Sequence, residues 1–270
     1  MNIPESFNDL VSYDLGSKEV VWDQSTLILY AIACGASAND LELVYEEGLK
    51  ALPSFVSTLG LWAVEKCGDL GVYDRQKSLH VSQYIEIKKT IPVQARVVTN
   101  ARVEGVWDKG RATIVDIVVE SEYFIAKYAI FLPGIGGWGG EDAPKAAAKV
   151  EVPLEKVGSY QTTENQAILY RLTGDLHPVH VNFEVARAYG FAKPILHGLC
   201  TFGIALRLLA TVMNISPETL QTASAKLSAP VLPGENLTLY AARVEAGYVF
   251  EMRVDDKVVL KEGQAAFLST

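Results

Sequence analysis

Runs rich in β-branched and aromatic residues recur in the first half of the chain, at residues 80–87, 94–99, 112–120 and 123–131. Their content, with Gly105 and Gly110 between them, predicts an antiparallel meander. The theme returns at residues 226–229, 237–244, 248–254 and 257–260, punctuated by turns at Pro233-Gly234-Glu235 and Asp255-Asp256-Lys257. One stretch stands apart. Residues 198–213, GLCTFGIALRLLATVM, are apolar on nearly every face. A helix apolar all round is either buried or spans a membrane, and this one is shorter than the ~20 residues a span needs. It reads as a helix wrapped by a strongly curved antiparallel sheet.

A weak internal repeat divides the chain. Ser25 to Gly35 parallels Asn165 to Gly174, aligning Tyr30 with Tyr170, and Ala51 to Gly60 parallels Ala192 to Gly203. Each half is therefore expected to start with a short helix, pass through a Pro-containing loop and end in strands. Residues 133–144 are Gly-rich and without periodicity. A phosphate-binding loop would need a Gly-Lys-Ser/Thr ending and a helix opening directly after it, and this stretch has neither. It reads as a join. The expected organisation is a degenerate repeat over 1–133, a linker over 134–150 and a second repeat over 151–270.

Composition adds bounds. Of 270 residues, 49% are hydrophobic and 21% charged, values of a globular protein with a packed core. The formal net charge of −8, without a Lys/Arg cluster, argues against nucleic acid as a partner. Cys34, Cys67 and Cys200 form no CxxC pair and read as reduced thiols. The N-terminal stretch has neither a basic start nor an apolar core, no apolar run is long enough for a membrane, and the last residues lack a Ser-Lys-Leu tripeptide. The expected compartment is the cytoplasm.

Candidate chemistry concentrates at residues 168–209, which hold three of the four histidines, His177, His180 and His197, together with Asp175. Gly174 and Pro178 bend or stiffen the backbone around them. Titratable groups this dense in an apolar stretch mark a site. The plainer alternative makes Asp175 the cap of a helix beginning near His180. A metal reading of Asp175, His177 and His180 is also open, but Pro178 interrupts any continuous helical face, and the expectation is no metal.

At these residues the sequence resembles a known family. Tyr170-Arg-Leu-Thr-Gly-Asp175-Leu-His-Pro-Val-His180 is similar to the MaoC-like, or hydratase 2, signature: Tyr, a small-residue turn, then Gly-Asp-x-Asn-Pro-aliphatic-His. Gly190 to Gly203, GFAKPILHGLCTFG, matches the family's next segment nearly residue for residue. One position departs, with His177 in place of the family's Asn. His80-Val-Ser-Gln83 looks like a relic of a His-Gly-Glu-Gln segment found in the first half of eukaryotic-type hydratases. The resemblance covers most of the chain and implies an α+β double hot dog, two fused repeats each curling an antiparallel sheet around a central helix.

The resemblance implies hydration of trans-2-enoyl-CoA to (3R)-hydroxyacyl-CoA, or the reverse dehydration, placing the chain among lyases of fatty acid metabolism. Asp175 and His180 would be the catalytic pair and the backbone N–H of Gly198 the oxyanion donor, with His197 structuring the loop and water positioning altered at His177. The chemistry agrees: a carboxylate and an imidazole can share one water, and a helix N-terminus with a glycine favours an approaching oxyanion. No metal or redox cofactor is needed; coenzyme A is part of the substrate. In the first half Ala36 and Asn39-Asp40-Leu41 stand where the pair would fall, so one site per chain is expected. The first half would then lend its volume to the acyl chain, with Tyr45, Phe55, Leu59 and Trp62 as lining candidates. His177, His197 and Lys193 complete the substrate-binding set, and Lys193, Arg187, Lys226 and Arg207 are candidates for the CoA phosphates. A homodimer is expected, because hot-dog sheets pair edge to edge. The rival readings are a hot-dog acyl-CoA thioesterase and a non-catalytic acyl-CoA binder, since this fold serves many acyl-thioester functions.

Overall fold

The computed structural model describes residues 3–144 and 151–268. After α1 (Phe7–Leu10), the first half runs β1 (Asp14–Trp22), α2 (Gln24–Ala33), α3 (Leu41–Val44), α4 (Val56–Leu59), α5 (Leu61–Asp69), β2 (Leu79–Ile87), β3 (Ala95–Asp108), β4 (Ala112–Glu120) and β5 (Phe124–Pro133). The second half runs β6 (Glu155–Gln161), α6 (Gln166–Arg171), α7 (Phe183–Ala188), α8 (Gly198–Val212), β7 (Leu220–Leu227), β8 (Asn236–Val244), β9 (Gly247–Val254) and β10 (Lys257–Phe267). All ten strands form one sheet in the order β1-β3-β4-β5-β2-β7-β10-β9-β8-β6. Read from either edge inward, both halves use the same strand order, and β2 pairs antiparallel with β7 at the seam, Gln83 opposite Ala225. The architecture is α+β, a double hot dog.

The sheet wraps its helices because the inner strands alternate. In β5 every second residue is buried from Phe124 to Leu132, and β3 alternates from Val97 to Gly105. Helix α8 is buried from Leu199 through Ala210, which is why its sequence carries no polar face. Its one charge, Arg207, is only 7% exposed. That cation is tolerated because Nε–H donates to the Cys34 carbonyl at 2.8 Å and the guanidinium lies 5.5 Å from the centre of the Tyr160 ring. Arg207 is thus committed to the core and is removed from the set of CoA-phosphate candidates. Tyr30 and Tyr170, aligned by the sequence repeat, face each other at 5.9 Å between ring centres, where α2 packs on α6.

Three local expectations need correction. In each half a strand precedes the helix marked by the repeat, β1 before α2 and β6 before α6: these are the two sheet edges, largely exposed, so neither shows an alternating apolar pattern. Strand β7 covers Leu220–Leu227 and leaves Ser228 and Ala229 beyond its end. Asp175 caps no helix. The chain after it makes one 3-10 turn, Pro178–His180, and α7 is capped by Asn182, whose Oδ1 accepts from the N–H groups of Glu184 and Val185.

The Gly-rich join is held from one point. Asp108, at the end of β3, accepts the N–H groups of Gly110 and Gly137 at 2.8 Å and of Gly139 at 3.0 Å. These bonds, Gly137 foremost, hold its carboxyl below the usual carboxylate range despite some desolvation. Of the expected linker, residues 145–150 lie outside the described residues, as do residues 1–2 of the N-terminus and 269–270 of the C-terminal tripeptide. No helix among the described residues is long and apolar enough to cross a membrane.

Candidate active site

Helix α6 ends at Arg171, and the Thr173 hydroxyl closes its last turn on the Tyr170 carbonyl at 2.7 Å. Gly174 then takes φ 132°, a backbone geometry that side-chain-bearing residues rarely adopt, and turns Asp175 inward. Oδ1 of Asp175 accepts the His177 N–H at 3.2 Å, an Asx-type turn. His177 Nδ1 accepts the Val179 N–H at 3.2 Å, so a neutral His177 carries its proton on Nε2, directed at the Tyr189 hydroxyl 3.4 Å away. The His177 side chain is therefore engaged with Tyr189 and its own turn. Its pKa is lowered, chiefly by burial and then by His180.

His180 follows on the same 3-10 turn. Its Nδ1–H donates to the Ile195 carbonyl at 2.8 Å, which fixes the tautomer and leaves Nε2 as a bare acceptor. The His197 ring stacks on it at 3.5 Å with 23° between the planes. His197 is 1% exposed, and its Nε2–H donates to the backbone carbonyl of Asp175 at 3.1 Å. One imidazole thus braces both Asp175 and His180 from beneath. Its Nδ1 and the Tyr170 hydroxyl are buried without hydrogen-bond partners, with the two rings 4.9 Å apart.

The electrostatics separate the pair. Burial pushes the Asp175 carboxyl up, but His197, His180 and the His177 N–H more than offset it, leaving it below the usual carboxylate range. Burial pushes His180 down, and Asp175 and the Ile195 carbonyl only partly restore it. At neutral pH Asp175 is ionised and His180 is neutral. His197 is pushed down to about 3 by burial and His180, so it also stays uncharged.

A cavity of about 560 Å³ opens in front of the pair and is lined from both halves. Asp175, His177, His180 and Gly198 face it from the second half. Gly198 is the first residue of α8, and the His197 cap makes no side-chain hydrogen bond to that first turn. The helix dipole and first-turn N–H groups therefore point at the cavity. A Cβ at Gly198 would come within 2.6 Å of Leu227 Cδ1, so glycine is what lets Leu227 pack against the start of α8.

The remaining sequence candidates do not reach the cavity. Tyr45 is 47% exposed on the surface, its hydroxyl on Glu47 at 3.4 Å. Phe55 is 1% exposed and packs edge-on against Trp22 and Tyr30, making it core. Trp62 is not part of the cavity lining, to which α5 contributes Leu61, Val64 and Glu65, and its indole N–H donates to Thr99 Oγ1 at 3.1 Å. Leu59 packs against the core, and Lys193 lies on the loop before α8 outside the cavity lining. His197 lies behind the wall. Lys226 pairs with Glu262.

Sequence reasoning missed several polar lining residues as site members, among them Glu65, Arg75, His80 and Tyr189. His80 carried a signal in the His80-Val-Ser-Gln83 echo. Tyr189 carried none, since it meets His177 only through the turn after α7. Asp175, His180 and His197 also offer ligand atoms within 4.8 Å of one another, a set able to attract a metal. However, stacked imidazoles have parallel planes, so their ring nitrogens do not converge on one in-plane ion.

The family described as MaoC like domain matches residues 145–264, and the MFE-2 hydratase 2 N-terminal domain matches residues 21–131. A probable enoyl-CoA hydratase 2 of Dictyostelium discoideum is 32% identical over 246 residues, covering 84% of this chain and 81% of that protein. The peroxisomal enoyl-CoA hydratase 2 of Arabidopsis thaliana is 31% identical over 259 residues, covering 84% of each. Among solved structures, a MaoC-like dehydratase from Phytophthora capsici superposes with a TM-score of 0.87 at 23% identity, over 100% of this chain and 98% of that one. A Mycobacterium tuberculosis protein described as a double hotdog fold gives 0.58 at 16% identity, over 98% of each.

Proposed function

The chain belongs to the MaoC-like, hydratase 2 family, and from that premise we propose that it adds water to trans-2-enoyl-CoA to give (3R)-hydroxyacyl-CoA, or runs the reverse dehydration. The observation that carries this reading is the meeting of an ionised Asp175, a neutral His180 with bare Nε2 and the Gly198 end of α8 at one cavity. In the hydration direction His180 Nε2 takes a proton from water, and the water oxygen adds to Cβ. The double-bond electrons move toward the thioester oxygen, where the Gly198 N–H stabilises the enolate. Cα then receives a proton returned through the His180–Asp175 pair, so one water is added whole. The acid–base pair is worth about 10²–10⁴ in rate. His180 is the better base of the two, because Asp175 is held below the ordinary carboxylate pKa.

Coenzyme A enters this scheme as part of the substrate, and no other cofactor takes part. A homodimer, checked by sedimentation, and residence in the cytoplasm complete the proposal. The test is turnover of crotonyl-CoA and longer trans-2-enoyl-CoAs, followed by loss of the conjugated-thioester absorbance with chiral analysis of the product. Asp175→Asn and His180→Ala should each lower kcat at least about 100-fold while the fold persists. Activity surviving in both variants refutes the assignment of the pair. Release of free CoA in place of the alcohol identifies a thioesterase instead. The Asp175, His180 and His197 cluster motivates a second reading, a metal-dependent lyase. Stoichiometric zinc or iron in the purified protein, with activity lost on chelation, would favour it.

A further inference from the structure

Two buried polar atoms beneath the catalytic pair are complementary and unmatched. His197 Nε2 lies 3.1 Å from the Asp175 carbonyl, which can only accept, so Nε2 carries the proton. The ring is uncharged at neutral pH, held down to about 3 chiefly by burial, and its Nδ1 is therefore a bare acceptor. Among the described residues that atom has no hydrogen-bond partner, and neither has the Tyr170 hydroxyl. One lacks a hydrogen and the other has one to give. A buried polar atom left dry and unpaired is costly, so such a pair asks for an explanation.

The geometry brings the two side chains together. The Tyr170 ring lies 4.9 Å from the His197 ring, centre to centre, and His180 stacks on His197 at 3.5 Å. Burial raises the Tyr170 hydroxyl well above its usual pKa, and Tyr30, Cys34, Cys200 and Asp175 add to the effect. The hydroxyl therefore keeps its hydrogen. The influence of Cys200 and Asp175 also places it near the first turn of α8 and the Asp175 turn, which His197 joins. Other unpaired donors fit less well. Arg171 Nε is buried without a partner, but Arg171 follows Tyr170 on α6 and leaves that helix about 100° further round. The Tyr30 hydroxyl lies farther along α8, 2.8 Å from where a Cβ on Gly203 would stand.

We propose that the Tyr170 O–H supplies the hydrogen that His197 Nδ1 lacks, across one bridging water, making Tyr170 a positioning residue for Asp175 and His180. A water that accepts from the hydroxyl and donates to the imidazole satisfies both groups at little cost. With both ring nitrogens held, the plane of His197 is fixed against the His180 ring and the Asp175 carbonyl together. Held only at Nε2, the ring is free to rock, and the stacked His180 moves with it. The effect on rate rests on the hydratase reading above; the hydrogen bond itself does not.

The test reads the ring nitrogens of His197 by NMR in protein carrying ¹⁵N-labelled histidine, the signals being assigned with His197→Phe. In the parent, Nδ1 should resonate below the frequency of a ring nitrogen that accepts no hydrogen bond, and Tyr170→Phe should move it up to that frequency. Crotonyl-CoA turnover in the same variant should fall about threefold to tenfold in kcat, the worth of one net hydrogen bond, with KM unchanged. Tyr30→Phe, the repeat-related tyrosine with an equally unpaired hydroxyl, should leave both the signal and kcat as they are. A Nδ1 signal unmoved by Tyr170→Phe, or moved equally by Tyr30→Phe or by Arg171→Met, overturns the role of Tyr170. If Tyr170→Phe does not fold, the parent alone decides: Nδ1 at the frequency of an unbonded nitrogen overturns the proposal, and a lower one supports it. Absence of turnover in the parent overturns the hydratase reading and leaves the NMR result standing on its own.

Discussion

His197→Phe separates what the buried imidazole does for the fold from what it does for the site. Phenylalanine keeps a ring against His180 and Tyr170 but can neither titrate nor donate to the Asp175 carbonyl. At pH 7 the variant loses one hydrogen bond, about 1 kcal/mol. The larger effect is in the pH dependence. His197 is held at about 3 in the folded state, chiefly by burial and then by His180, against about 6.5 in the unfolded chain. Between these values the unfolded chain binds more protons, so stability is full above pH 6.5 and falls as pH drops toward 3. From pH 7 to pH 5 this one group costs about 2 kcal/mol. His80, pushed down to about 4, costs a similar amount over the same window. The parent protein should thus lose about 4 kcal/mol from these two groups between pH 7 and 5, and His197→Phe about 2. Asp175, whose carboxyl lies below 3.8, stays ionised in both states at pH 5 and adds little. Urea midpoints at the two pH values, with slopes held in common, read the difference directly. Equal losses in the two proteins would refute the claim that a buried neutral His197 makes the fold acid-sensitive.

Two further substitutions test the placement of individual residues. Gly198→Ala should fold, because the clash falls on the flexible end of Leu227, at a cost of about 1–3 kcal/mol; kcat should fall by about 10-fold or more as the helix N-terminus is screened, and an unchanged kcat would remove Gly198 from the oxyanion role. Phe55→Ala should cost about 3–5 kcal/mol in thermal or urea unfolding, as expected for a ring packed between Trp22 and Tyr30, with no change in acyl-length preference below the melting transition; a changed preference without lost stability would return Phe55 to the cavity wall.

What the sequence announced and what it hid follow from how far each signal reaches. Helix α8 was legible because a helix enclosed by a sheet has no polar face to write. The inner strands announced themselves through β-branched runs, whereas β1 and β6 did not: an edge strand meets water along most of its length, and polar residues such as Lys18 and Glu19 erase the alternation. At the site, Asp175, His180 and Gly198 were legible because one short segment carries them. Residues brought in by the other half were not. Trp62 was named in place of its neighbours Leu61 and Val64, because composition marks a helix as apolar without fixing which face meets the cavity. His177 hid its role differently. Its neighbours in sequence put it beside the pair, but its bond partners, the Val179 N–H and the Tyr189 hydroxyl, exist only once the turn has formed.

Why one repeat keeps the chemistry can be argued from the helix that each sheet encloses. In the second half α8 packs on β6, β8 and β10, and in the first half α5 packs on β1, β3 and β4, with α4 leading into it. The two N-termini differ. Ahead of α4 the chain makes a 3-10 turn, Pro53–Phe55, so that the Val56 N–H bonds to the carbonyls of Pro53 and Ser54. The Tyr128 hydroxyl fills the space above, donating to the Ser57 carbonyl at 2.7 Å and lying where a Cβ on Gly60 would stand. The acid is diverted as well: Asp40 accepts the N–H of Ser37 at 2.7 Å and its hydroxyl at 2.9 Å, tying it into a local turn. Yet the plug is not idle. Tyr128 supports the His80 ring on its other side, so the residue packed at the α4–α5 junction also steadies a side chain that lines the cavity. The two repeats therefore differ at this point: the Gly198 end of α8 faces the cavity, while Tyr128 is packed against the first half's α4–α5 segment.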